Sequence, residues 1–140
     1  MFIVLFYIIA MTAALRDWRE YRISNGCCLG ILFITILECF VENRISVPER
    51  IVGGLVVSVP MFLLALFVHG SFGGGDIKFS AVCGVFLGWK MMVISTVYAI
   101  GAAGVYAVFL LCKGYDRKTR FPLGPFLVLG MTVRILQKIY

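Results

Sequence analysis

Apolar residues run along this chain in long blocks, broken where charges, proline and glycine gather. The breaks leave six segments, at about 1–15, 26–41, 51–68, 77–88, 91–111 and 121–137. Blocks of this length without strict alternation predict helices rather than strands. The expected fold is all-α: a polytopic membrane protein of about six transmembrane helices, forming a single transmembrane domain over residues 1–140. The fifth block is the clearest, because about 20 apolar residues cross a 30 Å hydrocarbon core. The first and fourth are short, so their ends are expected to take in neighbouring polar residues or to lie where the bilayer is thinned. Residues 1–15 resemble a signal peptide in their apolar stretch, but they lack a basic leading region and apolar helices follow, so they are read as the first span.

Composition supports a membrane setting. The chain is 61% hydrophobic and 14% charged, against about 25% charged in soluble domains, and its mean hydropathy is +1.00. A net charge of +6 could attract nucleic acid, yet the basic residues sit in short clusters between apolar blocks rather than along one soluble face. Membrane orientation explains them more simply, and no nucleic-acid partner is expected. Connections one, three and five carry eight Lys and Arg residues (Arg16, Arg19, Arg22, Lys78, Lys113, Arg117, Lys118, Arg120). The other two connections and the C-terminus carry five (Arg44, Arg50, Lys90, Arg134, Lys138). The bias places the odd connections in the cytoplasm and the N-terminus outside. The five cysteines form no C-x-x-C pair and read as small buried hydrophobes.

That topology brings two carboxylates to one side, Asp17 at the end of the first helix and Asp76 at the start of the fourth. Gly70, Gly73, Gly74 and Gly75 precede Asp76 and allow another backbone to approach closely. Each feature has an ordinary reading: Asp76 as a helix cap, the glycines as a flexible loop, Asp17 as a partner for Arg16, Arg19 or Arg22. Together the two acids point to a dyad in which like charges keep one member protonated. Such a pair can activate water and polarise a carbonyl without a metal or covalent intermediate.

The residues around both acids resemble a known family. Gly73-Gly74-Gly75-Asp76 fits the G-x-G-D motif of intramembrane aspartyl proteases, and Ile77-Lys78 extends it to the G-x-G-D-x-K form of type IV prepilin peptidases. Asp17 through Arg22-Ile23-Ser24-Asn25 is similar to that family's D-x4-R-I-P-N signature, and Pro122-Leu123-Gly124-Pro125-Phe126-Leu127 to its P-F-G-P-F-L element. Ser24 replaces the usual Pro, and either residue suits a helix start. The resemblance implies Asp17 and Asp76 as catalytic residues, with Gly73, Gly75, Lys78, Arg22 and Asn25 in supporting motif positions. It implies no cofactor and no metal. Its substrate would be a pilin-like precursor cut at the cytoplasmic face of an inner membrane, with lipid as the other partner. Longer members carry a paired-cysteine segment linked to N-methylation, so a minimal, Tad-type peptidase without methyltransferase activity is expected here. The presenilin-like branch places Tyr-Asp ahead of G-x-G-D, whereas Tyr115-Asp116 follows it, and Asp116 reads as a loop charge.

Lys78 is read either as a charge favouring an ionised dyad acid or as a headgroup anchor, and His69 as structural. Trp18 and Trp89 are read as interface anchors, and Pro60 as a kink. Substrate recognition is assigned to Glu20, the dyad and glycine-lined backbone. A small ion-coupled transporter or channel subunit with paired aspartates is the alternative, and a structural subunit of a secretion machine a third.

Overall fold

The computed structural model describes residues 1–20, 23–42, 45–68, 73–114 and 123–139. Among them lie six helices and no strand: α1 (Phe2–Glu20), α2 (Asn25–Val41), α3 (Val47–Phe67), α4 (Gly74–Leu87), α5 (Trp89–Cys112) and α6 (Gly124–Ile139). Every apolar block is a helix, and the two short ones grow toward the motifs. The first helix continues to Glu20 and takes in Asp17, while the fourth begins at Gly74 and takes in Asp76. Helices α3 and α5 are long and apolar enough to cross a membrane alone, and α2 and α6 are apolar but shorter. Charges crowd the end of α1, where Arg16, Asp17, Arg19 and Glu20 follow one another closely.

Local chemistry sets the helix ends. Ser24 caps α2, its hydroxyl accepting from the Gly26 N–H at 3.3 Å. A proline in the first turn of α3, Pro48, brings its φ already near the helical value. Gly88 alone joins α4 to α5, with φ of 77°, a left-handed value that strains any residue with a Cβ. Pro60 lies inside α3, which continues through it.

The shortest helix is the hub. Phe79, Ser80, Val82, Cys83, Gly84, Phe86 and Leu87 of α4 are buried and take up more than half of its circumference, a wider apolar face than a surface helix presents. It contacts α2, α3, α5 and α6, and Phe86 stacks on Phe6 of α1 with ring centroids 4.3 Å apart. Against α3 the approach is backbone to backbone: a Cβ on Gly53 would strike the Gly84 carbonyl, and one on Gly84 the Gly53 carbonyl. A similar crossing joins α5 to α6, where a Cβ on Gly130 would meet the Ser95 carbonyl and the Ala99 nitrogen. Small residues at helix crossings are the usual means of close packing in membranes.

Polarity is partly turned inward. Phe33, Phe40, Phe62, Phe67 and Val105 are more than half exposed, while Arg50 and Glu38 are buried. The Arg50 guanidinium donates to Glu38 Oε2 at 3.0 Å, to the Val85 carbonyl at 3.2 Å and to the Ile45 carbonyl at 3.3 Å. Arg50, counted from the sequence with the charges of the second connection, instead lies in the first turn of α3 and ties the ends of α2 and α4 together. The ion pair and the hydrogen bonds offset the cost of withdrawing the charge from water.

Candidate active site

The alternating direction of the helices gathers the end of α1 and the starts of α2, α4 and α6 at one end of the bundle. Asp17 lies in the last turn of α1 and is 4% exposed. The Gly124 N–H donates to Asp17 Oδ2 at 3.0 Å, linking residues 107 positions apart. Leu123 supplies the carbonyl that accepts the first α6 bond, from the Leu127 N–H, so the Gly124 N–H is one of the helix's unpaired donors. Pro125 comes next and has no N–H to offer. A Cβ at position 124 would stand 2.8 Å from Asp17 Oδ2, so this approach requires glycine.

Asp76 is the third residue of α4, behind Gly73, the extended N-cap at φ −76° and ψ 145°. The Asp76 N–H donates to the Gly73 carbonyl at 3.1 Å, and the Gly73 backbone lies near enough to the carboxyl to favour its ionised form. Its other demand is unmet: Oδ1 is buried without a hydrogen-bond partner among the described residues. A desolvated, unpartnered carboxylate oxygen is costly unless it carries a proton or awaits a ligand.

Both acids sit at helix ends, outside the apolar runs 1–15 and 77–88, and both are harder to ionise than usual. Burial raises Asp17, and the Gly124 N–H opposes it. Burial also raises Asp76, and the negative charge of Asp17 raises it further, to about 6, with the Gly73 backbone opposing. The two carboxyls therefore lie within reach of each other's field, although 59 positions separate them in sequence.

The supporting positions divide. Gly75 has a packing reason, since a Cβ there would stand 3.3 Å from the backbone nitrogen and Cβ of Ile23, at the entry to α2. Gly74 has no described residue within 4 Å of its missing Cβ, and a Cβ on Gly73 would stand 3.4 Å from Asp76 Oδ2. Asn25 opens α2 and is exposed, as is Lys78 on the first turns of α4. Arg22, His69, Tyr115 and Asp116 lie outside the described residues. Beside Asp17, Trp18 packs near Tyr106 at 6.1 Å between ring centroids, and Tyr106 near Phe126 at 5.4 Å. An apolar cavity of about 230 Å³ lies between α1 and α6, with Leu15, Trp18, Pro125 and Val128 in its lining.

Sequence reasoning missed the donor at Gly124. A backbone N–H leaves no residue-type signature; the only signal was a glycine followed by a proline where α6 begins.

Comparison with known proteins places this arrangement. Residues 4–108 match the model of a family described as the type IV leader peptidase family. Over 138 residues the chain is 29% identical to a prepilin leader peptidase/N-methyltransferase of Bacillus subtilis, covering 95% of this chain and 54% of that protein. Over 136 residues it is 24% identical to the Legionella pneumophila protein of the same name, covering 93% and 47%. The chain thus spans about half the length of these relatives. No solved structure is significantly similar to it.

Proposed function

The chain belongs to the type IV leader peptidase family, and from that premise we propose that it is an aspartic endopeptidase that removes the leader from type IV pilin-like precursors, with Asp17 and Asp76 as its catalytic pair. One observation carries the assignment of the site: Asp76 is a carboxyl with a buried, unpartnered oxygen, and Asp17's charge acts on it. Perturbed acids in mutual reach are the arrangement that acid–base hydrolysis needs.

The chemistry is direct. The ionised carboxylate takes a proton from water as the water oxygen bonds to the scissile carbonyl carbon. The protonated partner gives its proton to the carbonyl oxygen, forming a neutral tetrahedral diol. Collapse breaks the C–N bond as the nitrogen takes a proton from the first acid and the second, now ionised, takes one from a diol hydroxyl, which restores the starting pair. The products are a leader ending in a carboxyl group and a mature chain beginning with an amine. Water is the co-substrate, and each acid serves as both base and acid.

The same reading gives the protein six spans in an inner membrane, its apolar exterior facing lipid. Two spans are long and apolar enough to cross alone, and the excess of Lys and Arg on the odd connections favours a cytoplasmic dyad. An extended precursor backbone would enter over Gly74, where no described residue comes within 4 Å of the missing Cβ.

The test is processing of a co-expressed precursor, followed by its change in gel mobility. Asp17→Asn and Asp76→Asn should each abolish cleavage while the protein remains inserted. Full processing by both variants sinks the proposal; a requirement for an ion gradient would favour a transporter.

A further inference from the structure

The two acids are not held alike. Asp17 is seated on another helix's N-terminus, its Oδ2 taking the Gly124 N–H at 3.0 Å in a buried setting. Asp76 lies in the first turn of its own helix, and its Oδ1 is buried with no hydrogen-bond partner among the described residues. A donor N–H and the positive end of a helix both favour the negative carboxylate. A naked, desolvated oxygen favours the neutral acid.

We propose that Gly124 is a positioning residue of the dyad: its N–H holds Asp17 as the ionised member that activates water and leaves Asp76 to carry the proton. This deepens the peptidase reading and rests on it. The sequence around Gly124 serves the role. Pro125 removes the neighbouring donor, so the carboxylate has a single N–H to settle on in the first two positions of α6. The missing Cβ lets the amide approach, because any side chain would displace Oδ2. The rise of Asp76 under Asp17's charge fits the same order of ionisation.

Among the described residues, no other charge supplies this asymmetry. On α1, Arg16, Arg19 and Glu20 are exposed and point to solvent or headgroups. From α4 the titratable group facing Asp17 is Asp76, and Lys78 is exposed two residues on. Helix α2 offers Cys27 and Cys28 in its first turn, and the first turns of α6 are uncharged as far as Arg134.

Two measurements test the assignment. Replacing Gly124 by glycolic acid turns the donor amide into an ester and adds no Cβ, so the packing is kept. The acid limb of the pH profile for cleavage of a purified precursor should then move up by about one pH unit, with kcat below that limb falling about tenfold and KM nearly unchanged. Gly124→Ala, which keeps the N–H but pushes the carboxyl away, should move the limb in the same direction. A loss of rate with the limb in place means a structural role and overturns the proposal, as does a wild-type profile. Carboxyl-carbon NMR of the wild-type protein labelled at its three aspartates, Asp17, Asp76 and Asp116, reads the order directly. Asp17 should ionise at lower pH than Asp76, and the reverse order overturns the proposal. The NMR order does not depend on the outcome for Asp17→Asn and Asp76→Asn, which alone decides whether the dyad cleaves peptides, so failure of that reading and failure of this one are told apart.

Discussion

Arg50→Met should be among the most destabilising single changes in this protein. The Arg50 and Glu38 side chains are 3% and 6% exposed and their charged atoms lie 3.0 Å apart. Removing one partner strands a buried carboxylate, at a cost of about 3–5 kcal/mol. The Val85 and Ile45 carbonyls also lose their donor, which adds about 1 kcal/mol each if no water replaces it. Replacing both charges, Arg50→Met with Glu38→Leu, removes the stranded ion and should return stability to within about 2 kcal/mol of wild type. The two single costs should therefore exceed the double cost by at least about 2 kcal/mol. Reversible unfolding in mixed detergent micelles, followed by helicity, measures all three variants. Strict additivity, or a cost below about 1 kcal/mol for Arg50→Met, would refute the reasoning, because either result means that the pair is solvated. The pair meets α4 at Val85, nine residues from Asp76, or about 14 Å along the helix at about 1.5 Å per residue. Cleavage by the folded double variant should keep its pH profile.

Gly84→Ala should cost about 1–3 kcal/mol by forcing α3 and α4 apart, whereas Gly101→Ala, with nothing within 4 Å, should be neutral or stabilising by up to about 1 kcal/mol; thermal midpoints of the two variants check this. Asp76→Asn should stabilise the fold at neutral pH. An acid raised from 3.8 to about 6 binds its proton more tightly when folded, so its contribution is most favourable at low pH and is lost as pH rises through about 6. The variant's advantage, of order 2 kcal/mol, should shrink as pH falls from 6 toward 4, and a variant less stable than wild type at neutral pH contradicts the assignment of Asp76 as a strained functional acid.

Much of the fold was legible because hydrophobic blocks in a membrane-type composition have few alternatives to helices. The two acids were legible through their local company: glycines before Asp76, basic residues around Asp17. What stayed hidden has a common physical origin. Arg50 looked like a loop charge because its compensation comes from Glu38 and two carbonyls on other elements. Gly75 looked like open backbone for a substrate, yet its hydrogen faces Ile23, a contact that exists only once α2 and α4 are side by side. Helix ends moved because capping by Ser24 and Gly73 extends order into polar residues that hydropathy excludes.

The uneven fastening of the helices gives the two acids different mechanical standing. Helix α4 is locked to α3 where Gly53 and Gly84 meet, and Arg50 ties its far end. Helix α1 has no glycine and is pinned to α4 by the stack of Phe6 on Phe86, about 16 Å along the helix from Asp17. A tilt of about 5° about that stack would swing the tip of α1 by about 1.4 Å over this length. The Gly124 contact would carry the start of α6 with Asp17, whereas Asp76 sits on the clamped helix.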